Sequence, residues 1–112
     1  MIDIFEDRYW YTYELLGDAY RELEDTAQAV DIHMEILKHY EEVGDIDDIL
    51  AARLSVSIDL EAAEDYEKVY EFDKESYALV VEYFGEDSEE AKDYAEYLED
   101  DLEALNQSKD AE

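Results

Sequence analysis

Proline is absent and glycine occurs only three times. The usual punctuation of β-hairpins and long loops is therefore missing, which leaves helix as the favoured backbone state. Cysteine is also absent. That excludes disulfides, zinc–thiolate sites and thiol chemistry, and it suits a reducing compartment. Basic residues are scarce: 8 Lys and Arg stand against 36 Asp and Glu, a formal net charge of -28. A phosphate-binding or anionic-membrane surface needs clustered cations, so the sequence speaks against direct nucleic-acid or membrane binding. No apolar run approaches the roughly 20 residues that span a bilayer. The start, Met1 to Glu6, lacks the basic region and long apolar stretch of a signal peptide. A soluble, cytoplasmic protein is the expectation.

Such a charge raises the question of disorder, because self-repulsion opposes compaction. Against it stands a hydrophobic content of 47%, with 11 Tyr, 3 Phe and 1 Trp, enough apolar surface to offset the entropy of ordering. Chains of this length bury roughly two-thirds of their unfolded surface around one core. The composition describes a single folded domain with an acidic skin.

Gly44 and Gly85 each follow an apolar residue that closes a periodic stretch, Val43 and Phe84, and each precedes an acid. This pattern predicts helix C-termini with glycine in the left-handed conformation. Asp25 and Asp65, 40 residues apart, each open a new stripe, and Asp25 to Gln28 has the form of a capping box. These marks predict five helices, over residues 4–23, 26–43, 46–63, 66–84 and 88–105. Their apolar stripes have helical period: Ala29, His33, Ile36, Tyr40 and Val43 in the second, Ala91, Tyr94, Leu98, Leu102 and Leu105 in the fifth. The tail 106–112 has no stripe and is expected to fray. Short connections make neighbouring helices antiparallel, so a spacing near 40 means one helix pair per repeat. The expected fold is all-α: pairs 4–43 and 46–84 stacked as a solenoid, with 88–105 as a terminal lid, forming one domain over 1–105.

The run Tyr13-Glu14-Leu15-Leu16-Gly17-Asp18-Ala19-Tyr20 resembles the first helix of a tetratricopeptide repeat, in which a large residue is followed by Leu-Gly, then by Ala and Tyr. Ala29, Ile36 and Leu37 look like the second helix of the same repeat, so the match covers residues 10–43. Gly17 in mid-helix costs about 1 kcal/mol relative to Ala and suggests a close approach by the partner helix. In the second unit Val56-Ser57 replaces Leu-Gly, while Leu60, Asp65 to Lys68, Val69 and Ser76 fall at repeat positions. The stretch Glu67 to Phe72, closing at Phe84 to Ser88, is similar to the longer kinesin light chain variety, whose period is also close to 40; the His or Pro usual in its turn is missing.

The resemblance implies a groove lined by the first helix of each pair. Its register places Tyr11, Glu14, Asp18, Arg21 and Glu22 there, followed by Ala51, Leu54, Ile58 and Glu61, with Asp93, Glu96, Asp100 and Glu103 from the fifth helix. Two readings stand side by side: Leu54 and Ile58 form the apolar middle of an acidic groove suited to a basic amphipathic segment, or they belong to the core and the acids are solvated surface. The Lys and Asn with which the chaperone-tail variety clamps a terminal carboxylate are missing.

No metal or cofactor site is expected. The acids at Asp45 to Asp48 and Glu86 to Glu90 lack the pattern of a calcium loop and suit helix N-termini. His33 and His39, six apart, face different sides, and His33 falls on the apolar stripe as a packed histidine. No nucleophile or phosphate loop is singled out, so a non-enzyme is expected. Tyr9, Trp10, Tyr11 and Tyr13 cannot all face inward, which suggests an interface with a partner or with another copy of the chain, a possible homo-oligomer. The leading expectation is a protein-interaction module. The alternative is an acidic DNA mimic that occupies the cationic cleft of a nucleic-acid-binding protein, and a third reading assigns the charge to a saline cytoplasm.

Overall fold

The structure, a computed structural model, describes residues 4–110, except for the side chains of Ile4, Phe5 and Asp7. The described residues form an all-α fold of five helices with no strand: α1 (Ile4–Glu22), α2 (Thr26–Val43), α3 (Ile46–Ala62), α4 (Tyr66–Phe84) and α5 (Glu89–Asp110). The interruptions fall at Asp25, Gly44, Asp65 and Gly85, where the sequence marks them.

The starts of α2, α3, α4 and α5 each have a side-chain cap. Asp25, Asp45 and Asp65 accept the backbone N–H groups of Gln28, Asp48 and Lys68, and Ser88 Oγ accepts that of Ala91. These are the donors that the first helical turn leaves without an intrahelical acceptor. The carboxylates of Asp45 and its neighbours thus serve the start of α3.

The helix ends differ from expectation in two respects. Gly44 is extended, at φ -92° and ψ 173°, rather than left-handed. Glycine is required there by space, since a Cβ would lie 2.9 Å from both the Tyr40 carbonyl and its ring. Gly85 has φ +95° with ψ 153°, also outside the left-handed helical well. Among the described residues, the left-handed ones are Glu24 (φ 64°) and Glu64 (φ 59°). At the end of α1, Asp25 N–H donates to Tyr20 O at 2.8 Å and Glu24 N–H to Arg21 O at 3.0 Å, the paired bonds of a Schellman turn with glutamate in the glycine position. Placing a residue with a Cβ in that well costs about 1–2 kcal/mol, against which the turn satisfies two helix-terminal carbonyls. The backbone repeats itself at a period of 40: Asp25 lies at φ -90°, ψ 70° and Asp65 at φ -92°, ψ 68°.

The tail expected to fray over 106–112 is instead helical as far as Asp110. Nothing in Asn106 to Lys109 breaks a helix; Gln107 reaches back one turn to Glu103 at 3.4 Å, and Lys109 complements the C-terminal dipole. Residues 111 and 112 lie outside the described residues.

The chain divides into two compact units after Ala63. In the first, α2 packs against both α1 and α3. Short connections make these neighbours antiparallel. Its core comprises Ala29, Ile32, Ile36 and Leu37 of α2 with Ala52 and Val56 of α3, and each buried Ile or Leu contributes about 1.5–3 kcal/mol. In the second unit α4 and α5 form a hairpin that buries Val69, Val80 and Ala91. Ser76, buried in α4, donates its hydroxyl to Phe72 O at 3.3 Å, the usual way for a serine to satisfy itself inside a helix.

Candidate functional site: a buried ion cluster beneath an acidic face

Gly17 of α1 is buried, and the reason is His33 of α2. A Cβ at Gly17 would come within 2.6 Å of His33 Nε2, 2.9 Å of Cε1 and 3.0 Å of Cδ2, so the imidazole lies flat against the glycine backbone. The ring is 1% exposed. Its Nδ1–H donates to Asp59 Oδ2 of α3, and its Nε2 stands 3.2 Å from Asp18 Oδ1 of α1 in ion-pair range but without hydrogen-bond geometry. Arg21 of α1 joins the same two carboxylates, at 3.0 Å to Asp59 Oδ1 and 3.3 Å to Asp18 Oδ1. Two carboxylates and two cationic side chains from three helices thus close one ring of charge, with Asp59 fully buried.

Burial disfavours the charged imidazole, but the hydrogen bond and charge of Asp59, the charge of Asp18 and the backbone of Glu14 outweigh it and raise the His33 pKa above its ordinary 6.5. With both ring nitrogens facing carboxylates and almost no exposure, His33 is closed to a substrate. Its chemistry is that of a latch that holds a proton. A folded-state pKa above the unfolded value means that this contribution is complete below about pH 6.5 and is lost as pH rises through the folded pKa. Urea midpoints are therefore expected to fall as pH rises above about 6.5 in the wild type and to lose that slope in His33→Gln. Every tenfold of proton tightening corresponds to about 1.4 kcal/mol.

The residues singled out by sequence divide between this cluster and the surface. Asp18 and Arg21 are half-buried and committed to the cluster. Tyr11, Glu22 and Glu61 are exposed and Glu14 is half-buried. Leu54 and Ile58 of α3 remain 44% and 40% exposed, outside the core. Ala51 is exposed beside them, and in the second unit Asp93, Glu96, Asp100 and Glu103 line an exposed flank of α5. Sequence reasoning missed Leu15, 49% exposed and one turn from Tyr11, and it missed Asp59. The signal for Asp59 was an acid on the stripe Ala52, Val56, Asp59, facing a helix whose own stripe carries a histidine.

The aromatic cluster is split as expected: Tyr9 and Tyr11 are exposed, whereas Trp10 and Tyr13 are half-buried. Trp10 stacks on His39 with centroids 4.0 Å apart. Tyr13 donates its hydroxyl to Glu35, and that bond, with burial and the nearby negative charge, pushes its pKa up to about 12. Among the described residues no group of three or more His, Asp or Glu is placed to hold a metal ion, and no helix is long and apolar enough to cross a membrane.

No protein family, curated protein or solved structure matches this chain. The functional reading rests on the geometry.

Proposed function

We propose that the chain is a non-catalytic protein-interaction module of the tetratricopeptide type, whose first unit receives a basic amphipathic segment on the face shared by α1 and α3. The observation that carries this reading is the exposure of Leu54 and Ile58 on α3 and of Tyr11 and Leu15 on α1, with Glu14, Glu22 and Glu61 on the same two helices. Arg21 reaches from α1 to Asp59 on α3, so the two helices are tied near their C-terminal ends by this ion pair. An apolar stripe flanked by carboxylates complements a helix or strand with apolar residues on one side and Lys or Arg beside them. The -28 charge steers such a partner from a distance and keeps acidic competitors away.

The repeat reading is supported by the recurrence of the Asp-capped left-handed turn at 40 residues and by the contact of Gly17 with α2. The combined variant Glu14→Lys, Glu22→Lys, Glu61→Lys tests the binding face while keeping the four side chains of the ion cluster in place. Titrated with a Lys- and Arg-flanked amphipathic peptide at fixed salt, it is expected to bind at least ten times more weakly than the wild type. Equal affinity would refute binding at this face.

A further inference from the structure

The other flank of α1 carries a second feature that the α1–α3 face does not use. Two open hollows, of about 570 Å³ between α1 and α2 and about 410 Å³ on α1 alone, share Tyr13 and Leu16 as their common wall. Tyr9, Tyr13, Leu16 and Tyr20 follow one another along α1 at steps of three and four, and Ile32 of α2 forms the floor. Tyr9 is 57% exposed and Leu16 45%. From Tyr9 to Tyr20 the strip extends roughly 17 Å at 1.5 Å per residue, the length of three helical turns. Asp31 and Glu35 border it along α2, while Arg8 closes its N-terminal end and is the one cation among the residues lining the two hollows.

A second copy of this chain is a poor occupant, because closing the strip against its equivalent would bring together two molecules of charge -28. The border points to the opposite charge. We propose that this strip is a second docking surface, taken by a helical segment of another protein that presents apolar residues at i, i+3 or i+4 and i+7, with Lys or Arg on the side that meets Asp31 and Glu35. An amphipathic helix laid along an apolar strip with a charged border is an established mode of recognition, with the apolar anchors giving affinity and the border charges giving orientation. This surface does not depend on the α1–α3 face, and either can fail alone.

The test uses the intact chain and a synthetic 14-residue helical peptide with Leu at four stripe positions and Lys or Arg at the flanks. Trp10, the single tryptophan, stacks on His39 in the adjoining hollow bordered by Tyr9 and Glu35 and reports occupancy through its emission. The decisive variant is Leu16→Glu, with Leu54→Glu as its counterpart on the other face; Leu16 is exposed enough for the fold to tolerate the change, which circular dichroism checks. Leu16→Glu adds a negative charge, so an association driven by charge alone would tighten. The docking surface predicts the reverse: at least a tenfold loss of affinity and loss of the emission change in Leu16→Glu, neither loss in Leu54→Glu, and no emission change with a peptide of the same composition and scrambled stripe. Unchanged or tighter binding by Leu16→Glu overturns the proposal, as does a wild-type dimer, seen by light scattering, that Leu16→Glu converts to monomer. Weakening by Leu54→Glu alone overturns it too and assigns the peptide to the α1–α3 face.

Discussion

Asp59→Ala is expected to destabilise the protein by on the order of 3–5 kcal/mol, the cost of breaking a buried ion pair by deleting one partner. A domain of this size holds about 5–15 kcal/mol in total, so the variant is expected to be partly unfolded at 37 °C. The loss comes less from missing attraction than from what is left behind. Without Asp59, the His33 ring keeps its burial and its Nδ1–H has no acceptor, while Arg21 retains only Asp18 at 3.3 Å. Asp59→Asn keeps an oxygen acceptor but not the charge and is expected to cost less. Removing both ends is predicted to be milder still: His33→Leu with Asp59→Leu removes the two fully buried members of the cluster together, and such replacements are often neutral or stabilising. Urea denaturation of the four proteins at pH 6 checks the order. A double variant no more stable than Asp59→Ala would mean that the cluster contributes more than the absence of a penalty.

Gly17→Ala is the second large effect, and it runs against helix propensity. In mid-helix the change should gain about 1 kcal/mol. Here the added methyl would enter the face of the His33 imidazole, with its closest approach 2.6 Å. The ring cannot swing aside freely, because Nδ1 is bonded to Asp59 and Nε2 is held beside Asp18. Overpacking of this kind costs about 1–3 kcal/mol, so a net loss is expected. With His33→Ala in place the obstacle is gone, and the same Gly17→Ala substitution should stabilise by up to about 1 kcal/mol. That reversal of sign in a double-mutant cycle would assign Gly17 to ring packing rather than to helix flexibility. Two additive effects would sink the assignment.

Helices and their limits were legible because they depend on local physics. Asp25, Asp65, Gly44 and Gly85 mark the interruptions by residue type alone, and Gly17 announced a close approach that His33 supplies. The reason for glycine at 44 was not legible, since the contact with Tyr40 depends on the path the chain takes after α2. Nor were the left-handed glutamates: Glu24 and Glu64 have side chains that disfavour this conformation, and at Glu24 the hydrogen bonds of the turn override the preference. The tail was misread because the lack of an apolar stripe says that a helix is not buried, whereas helix formation in Asn106 to Lys109 continues from the turn before it. Of the candidate positions, Tyr11, Glu22, Leu54, Ile58 and Glu61 are exposed and Glu14 is half-buried, a surface that helical register lays out along α1 and α3. The function of Asp18 and Arg21 did not follow from register, because a surface position and a clasp on a buried acid differ only in what lies 38 residues further along.

The ring of charge also bears on how the first unit comes together. Its members lie at positions 18, 21, 33 and 59, so no two-helix intermediate can complete it. An α1–α2 hairpin formed early would hold His33 against Asp18 with no counterpart for Nδ1, and an α2–α3 hairpin would hold Asp59 without its guanidinium. Each half-built state carries an electrostatic debt that only the missing helix removes. The geometry therefore sets a checkpoint on assembly, biasing these three helices to form and to melt in a single concerted event.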